Sequence, residues 1–159
     1  MCLFFLTHGY FVHCKNIILN TLFLNEKAME EKHNNATPQR PAGNRTLDAQ
    51  LVMVDLPRFI KEIQNESAYH ENGKNAMTVF KSEQVTITLL ALKKEEKFQS
   101  GSEEKHLLMS LHVLEGSLSF VVNGVEEYLS DGQLLNYHYD YPFKAIAYSN
   151  CVCLLTVIK

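Results

Sequence analysis

The chain has 159 residues, with 15 Lys and Arg against 18 Asp and Glu, and therefore a net charge of −3. This length suits one domain with an extension, and the weak acidity gives no electrostatic reason to expect a nucleic acid or a membrane surface as a partner. With 46% hydrophobic and 21% charged residues, the composition is that of a globular protein. The four cysteines are too few and too unevenly placed for a disulfide scaffold, so we expect a reducing, cytoplasmic location.

The first 24 residues hold two short apolar runs separated by polar residues. A membrane span needs roughly 20 mostly apolar residues, and a secretory signal needs a basic start and a small-residue cleavage site. Neither pattern is clear, which leaves three interpretations: a signal or anchor, a start codon assigned too early with the true start near Met29, or a partner-binding extension. Residues 25–47 are polar and carry Pro38 and Pro41. We predict a poorly ordered extension over 1–48 and one domain over 49–159.

From about Asp48 the pattern becomes that of short β-strands. QLVMVDL at 50–56 is typical of a strand, and Asp55 is placed to cap a short helix with Pro57 in its first turn. The β-type runs that follow are AMTVFKS, VTITLLAL, LLMSLHVL, LSFVV, VEEYLS, LLNYHY, KAIAYS and CVCLLTVI. Asn123-Gly124 between two of these runs predicts a two-residue type I′ hairpin. Many short strands with turn residues between them predict an all-β sandwich or barrel.

The segment from Leu92 to Ile146 resembles the cupin superfamily of small jelly-roll barrels. The likeness lies in Val113-Leu-Glu-Gly116, the strand LSFVV, the Asn-Gly turn and a second glycine at Gly132. The resemblance implies an all-β, cupin-like double-stranded β-helix, which is a jelly-roll barrel, with one short N-terminal helix. It implies no single activity, because cupins include isomerases, dioxygenases, epimerases, storage proteins and ligand-binding regulatory domains.

The resemblance also shows where the metal ligands of the family are missing. When the first motif is anchored on Gly116, its glutamate position falls on Met109 and its two histidine positions fall within GSEEK at 101–105. In the second motif the histidine position falls on Phe143. A first-row metal needs three or four deprotonated N, O or S donors, and neither Met109 nor Phe143 replaces a carboxylate or an imidazole there. We therefore predict no metal and no cofactor.

The barrel lumen is the predicted site, and no catalytic residue is predicted. The expected ligand-binding residues, by analogy with the family, are Ser102, Glu104, His106, Met109, His138 and Phe143. The predicted function is that of a non-catalytic domain that binds a small, partly apolar ligand or serves as a dimeric accessory module, and we expect a homodimer. The alternative is a metal-dependent cupin oxygenase or isomerase with atypical ligands. For that alternative Glu104 and His106 are the candidate ligand pair, because a single residue separates them and they therefore share one strand face. A regulatory domain with a protein partner is a third interpretation.

Three further residues need an interpretation. His112 alternates with Met109, Leu111 and Val113, so it is expected on the opposite face of its strand, in packing or at an interface rather than in catalysis. Cys151 and Cys153 share a strand face in an apolar run, which favours small buried core residues over a soft-metal site.

Overall fold

The computed structural model describes residues 29–35, 37, 40, 45–100, 108–138 and 140–159. The fold lies within a compact unit that spans Glu31–Lys159. The predictions that concern residues 1–28, and those that concern Ser102, Glu104 and His106, lie outside the described residues.

Two short helices and a series of antiparallel strands make up the described fold. The helices are α1 (Leu56–Asn65) and α2 (Ser67–Asn72). The strands are β1 (Lys32–His33), β2 (Thr46–Asp48), β3 (Lys74–Lys81), β4 (Val85–Leu92), β5 (Lys97–Gln99), β6 (Leu108–Glu115), β7 (Ser117–Val122), β8 (Val125–Ser130), β9 (Leu134–His138), β10 (Phe143–Ala147) and β11 (Cys151–Ile158).

Local chemistry explains the start of α1 and the break after it. The Asp55 side chain accepts a hydrogen bond of 3.1 Å from the backbone N–H of Arg58, as a capping carboxylate should. One helix was predicted here, and the described residues form two, because Glu66 takes an extended conformation (φ −71°, ψ 148°) that ends α1 and begins α2. Phe59 and Ile63 form the buried face of α1.

The strands form two main sheets that face each other. The five-stranded sheet has the order β3-β4-β11-β6-β9, and the four-stranded sheet has the order β5-β10-β7-β8. Neighbouring strands in both sheets are antiparallel. Strands that are adjacent in space come from distant parts of the sequence, as in β11 between β4 and β6, which gives the jelly-roll order. The prediction of an all-β barrel is confirmed.

Each face of the five-stranded sheet has its own core. The inner core lies between the two sheets and includes Leu111 and Phe120. The outer core lies between the five-stranded sheet and the helices and includes Ile63 and Leu89. A strand with both faces covered carries apolar residues in succession, which explains the uninterrupted run LLAL at 89–92, the second half of β4.

The predicted hairpin is confirmed, and one predicted strand is wrong. Asn123 and Gly124 both have positive φ, 47° and 78°, as a type I′ turn requires. QLVMVDL at 50–56 forms no strand, and in it Leu51 and Met53 are 85% and 88% exposed. The short strand β5 has no counterpart in the sequence predictions, because three residues are too few to show an alternating pattern.

Residues before 49 also contact the domain. Arg40 donates to the backbone carbonyl of Ala76 at 2.9 Å, and Arg45 donates to that of Thr78 at 3.2 Å, so two guanidinium groups bind carbonyls of β3, at the edge of its sheet. Such bonds occupy acceptors that an open strand edge would present to another chain. The predicted boundary at residue 49 stays a prediction. No helix in the described ranges is long and apolar enough to cross a membrane.

Candidate functional site

The inner face of β6 is apolar and closed. Met109, Leu111 and Val113 are buried in the inner core, whereas His112 is half-buried on the other face of the strand. The predicted alternation, with His112 on the face opposite to that of Met109, Leu111 and Val113, is therefore confirmed. In consequence His112 does not point between the sheets.

Four aromatic rings meet between the sheets at one end of the barrel. The Phe143 ring stacks on that of Phe120, with centroids 4.7 Å apart and planes at 19°. Phe98 meets Phe143 edge-on at 5.8 Å, and Tyr137 meets Phe120 edge-on at 5.7 Å. These four residues lie on four different strands, β5, β7, β9 and β10, so the cluster ties both sheets together. Its edge-to-face and offset contacts are the geometries that aromatic pairs favour.

Hydrogen bonds hold the strand ends beside this aromatic cluster. The Tyr137 hydroxyl donates to the Tyr141 carbonyl at 2.8 Å and accepts from the Tyr141 N–H at 2.9 Å. The Ser100 side-chain oxygen accepts from the Phe143 N–H at 3.0 Å. The turn after β9 and the end of β5 are thereby attached to the same end of the barrel.

The structure brings some of the predicted site residues together and separates another. Met109 and Phe143 belong to one core, with 2% and 6% exposure. His138 is exposed, and the alternation of β9 places it on the face opposite to that of the half-buried Tyr137. The described members of the predicted set therefore do not surround one open lumen, because two of them fill core positions.

The described residues do not fit the metal that the cupin fold can carry. The two ligand positions described here hold Met109 and Phe143, a thioether and an aromatic ring. Within the described ranges, no group of three or more His, Cys, Asp and Glu side chains is close enough to hold a metal ion. We therefore derive no chemistry that passes through a metal.

Cys151 and Cys153 lie side by side in the inner core. Both are free thiols, and both are buried. The hydrogen bond between them lowers the pKa of Cys151, and the same bond together with burial raises the pKa of Cys153 well above its usual value. Both side chains are closed off from solvent within the inner core, so the pair acts as core packing.

A cleft of about 900 Å³ opens where the edge strands β3 and β5 of the two sheets diverge. Its floor is apolar and consists of Leu90, Leu92 and Phe98. Its rim is polar, and Lys74 there donates to the Lys97 carbonyl at 3.1 Å. The full lining is Asn72, Lys74, Asn75, Ala76, Leu90, Leu92, Lys97, Phe98 and Gln99.

Sequence reasoning did not single out this cleft. Its lining comes from three strands and a helix end, and no motif marks any of them. The sequence gives one indication, which is that Leu90 and Leu92 share the face of β4 that points between the sheets. To use it, one would have to know that the second sheet covers only part of β4.

Comparison with known proteins agrees with the architecture. No family model and no curated protein matches the chain. It is similar in structure to an RmlC-like cupin protein from Desulfovibrio desulfuricans, with 20% identity over 55% of this chain and 84% of that chain and a TM-score of 0.51. It is also similar to a conserved protein of unknown function from Streptococcus pyogenes, with 18% identity over 56% and 76% of the two chains and a TM-score of 0.50.

A third similar structure is an HTH_3 family transcriptional regulator from Vibrio cholerae, with 17% identity over 66% of this chain and 60% of that chain and a TM-score of 0.53. The likeness in all three cases is one of fold. The two facing antiparallel sheets and these neighbours show that the chain has the fold of the cupin superfamily. The resemblance in the sequence is therefore confirmed.

Proposed function

We propose that this cupin-like domain binds a small, partly apolar molecule in the cleft between β3 and β5, without a metal and without catalysis. The observation that carries the proposal is the cleft itself, with an apolar floor and a polar rim. Its volume of about 900 Å³ lies in the range of small-molecule sites, roughly 300–1,000 Å³. Ser102, Glu104 and His106 remain predicted residues of the barrel lumen, and a cytoplasmic location remains a prediction.

The floor and the rim define the chemistry of the ligand. Leu90 and Phe98 offer aliphatic and aromatic surface, which favours a ligand with a flat or branched apolar part. Lys97 and Gln99 offer donors at the edge, where a polar group of the ligand would stay in contact with water. Lys74 is less available, because its ammonium lies 3.7 Å from the Glu96 carboxylate.

The inner core supports a site in the cleft rather than deep between the sheets. Phe120 and Phe143 stack in the space that an open lumen would occupy, and Met109 is closed off from solvent. A ligand would have to displace packed side chains there, at a cost of several kcal/mol. The cleft needs no such displacement.

A bulky substitution at Ala76 tests the proposal. Ala76 is exposed and lines the cleft, so Ala76→Trp fills the cleft without disturbing a core. The probe is the neutral apolar dye N-phenyl-1-naphthylamine, whose fluorescence rises on burial. We expect saturable binding to the unchanged protein and binding weakened about tenfold or more in Ala76→Trp, since the indole occupies the site.

The matched control is Val125→Trp, because Val125 is 56% exposed on β8, a strand distant from the cleft in the sheet order. Equal dye affinity in Ala76→Trp and Val125→Trp, with unchanged melting temperatures, would contradict a site in the cleft. Near-stoichiometric iron, manganese, nickel or zinc in the purified protein would contradict the metal-free function and favour the enzyme interpretation.

We also propose a homodimer that covers the exposed side chains of Tyr128 on β8 and Leu134 on β9. The alternation of β8 places Val125, the control position, on the face opposite to that of Tyr128. Tyr128 and Leu134 are 63% and 56% exposed, and the Tyr148 ring lies 5.5 Å from that of Tyr128. Light scattering at micromolar concentration should give about 36 kDa, twice the 18.2 kDa of one chain. Leu134→Lys should shift the mass toward that of the monomer. A monomer in the unchanged protein would contradict the dimer.

A further inference from the structure

A second cavity lies on the other side of the five-stranded sheet, beside the helices. It has a volume of about 290 Å³ and is bounded by β2, the segment before α1, α1 itself and β3. Six of its nine lining residues are apolar, but polar atoms make up the larger part of the exposed lining surface, and two arginines and one hydroxyl face the cavity. The full lining is Arg45, Thr46, Leu51, Val52, Met53, Val54, Arg58, Phe59 and Val79.

Arg45 in this cavity has a side-chain donor with no acceptor among the described residues. One Nη2 proton is donated to the Thr78 carbonyl at 3.2 Å. The Nε atom is buried and has no hydrogen-bond partner in the part of the chain that the structure describes. A buried donor without an acceptor costs free energy, about 1–3 kcal/mol and more when the group is charged. An acceptor placed in the cavity would recover part of that cost.

Two guanidinium groups flank one aromatic ring at this site. The Cζ atom of Arg58 lies 5.0 Å from the centroid of the Phe59 ring, and that of Arg45 lies 5.6 Å from it. The guanidinium group of neither arginine has a carboxylate within 4 Å in the described part of the chain. Burial and the nearby Arg40 lower the pKa of Arg45, whereas the carboxylates of Glu62 and Glu66 raise it. The site therefore holds positive charge that is incompletely balanced.

The acidic side chains around the cavity are mostly engaged elsewhere. Glu66 is bound by Arg40 at 2.7 Å, and Asp48 lies 3.6 Å from Lys32. Asp55 caps the helix at the Arg58 N–H. Glu62 forms no ion pair with any other described residue and is the carboxylate that competes with an incoming anion.

We propose that this cavity binds a small organic carboxylate, held by Arg45 and Arg58 with its apolar part against Phe59. A guanidinium presents its N–H donors in a fork that matches the two oxygens of a carboxylate. Apolar side chains in the lining, which include Val54 and Val79, offer contact to a hydrocarbon chain or ring beside the guanidinium groups. The small volume limits the ligand to a short acid.

The exposed residues at the mouth are consistent with this ligand. Leu51 and Met53 line the cavity and are 85% and 88% exposed. No strand in the described ranges pairs with their segment and covers them. Apolar side chains beside a charged group give a site that takes an amphipathic ligand. A neutral ligand of the same shape would leave the Arg45 Nε without a strong acceptor.

The test uses hexanoate as the probe and hexanamide as its uncharged analogue, followed by NMR titration of the full chain. We expect hexanoate to bind at millimolar concentration and hexanamide to bind about tenfold or more weakly, because hydrogen bonds to a charged acceptor are the stronger ones. Arg58→Gln should weaken hexanoate binding about tenfold; its exposed side chain makes a folding defect unexpected. Glu62→Gln should tighten it, because a competing negative charge is removed.

The result that overturns the proposal is equally clear. Equal affinities for hexanoate and hexanamide, an unchanged affinity in Arg58→Gln, or no binding of hexanoate at millimolar concentration would each do so. Arg45→Gln should also abolish binding, with its melting temperature measured because Arg45 bonds to Thr78. Ala76→Trp, which places an indole in the cleft between β3 and β5, should leave hexanoate binding unchanged. The test of this cavity is therefore independent of the test of the proposed function.

Discussion

The ion pair between Arg40 and Glu66 joins parts of the chain that are 26 residues apart. The Arg40 Nε and Nη2 atoms donate to the two Glu66 carboxylate oxygens at 2.7 and 2.8 Å. Glu66 also accepts from Asn75 at 2.6 Å, and Arg40 donates to the Ala76 carbonyl at 2.9 Å. The pair therefore attaches the segment before β2 to the junction between the helices and to the edge of β3.

Glu66→Gln should destabilise the domain by about 2–3 kcal/mol. The two side chains are only 17% and 10% exposed. The contribution of this pair to stability should therefore fall between that of an exposed pair, about 0–1 kcal/mol, and the cost of disrupting a buried pair, about 3–5 kcal/mol. Both Glu66 oxygens accept from N–H donors, and a glutamine would direct an NH₂ group at one set of these donors. Arg40 would be left with its charge unbalanced in a partly buried position.

The assay is urea unfolding followed by circular dichroism, with the free energy of unfolding extrapolated to water. Glu96→Gln is the matched control, because the Lys74–Glu96 pair is long, 3.7 Å, and its side chains are 51% and 34% exposed. That control should lose under about 1 kcal/mol. Equal losses in Glu66→Gln and Glu96→Gln would refute the argument that burial makes the first pair the stronger contributor.

Three other predictions follow from single features. Gly124→Val should lower the free energy of unfolding by about 1–2 kcal/mol. The space around Gly124 is open, so this cost comes from placing a β-branched residue at a φ of 78°. An unchanged urea midpoint would contradict the prediction. The fourfold variant Ser102→His, Glu104→His, Met109→Glu and Phe143→His should bind Zn²⁺ with an affinity that calorimetry can measure, and its metal-free form should be less stable than the unchanged protein. A variant that does not bind Zn²⁺ would show that the alignment with the cupin motifs is wrong. Hydrogen bonding to Tyr148 and to Glu126 raises the pKa of Tyr128 to about 12. The difference between the ultraviolet titrations of the unchanged protein and of Tyr148→Phe should therefore show a phenol that ionises well above 10 only in the unchanged protein.

Local pattern was sufficient for most of the sheet. Eight β-type runs after residue 75 correspond to β3, β4 and β6–β11, because alternation and turn residues act within a few positions of the chain. The same reasoning was wrong for QLVMVDL, which has the composition of a strand but no pairing partner among the described residues. A strand depends on a neighbour for its hydrogen bonds, and the neighbour is not part of the local pattern.

Local pattern was enough to predict the type I′ turn at Asn123-Gly124, the alternation of Met109 with His112 and the cap at Asp55, since each depends on backbone geometry or on a period of two. Which distant side chains meet depends instead on how the two sheets and the helices pack. The aromatic cluster draws one ring from each of four strands, the cleft opens where two edge strands diverge, and the cavity at Arg45 needs β2, α1 and β3 together. These contacts depend on strand register and on the order of strands in each sheet, which no run of neighbouring residues encodes.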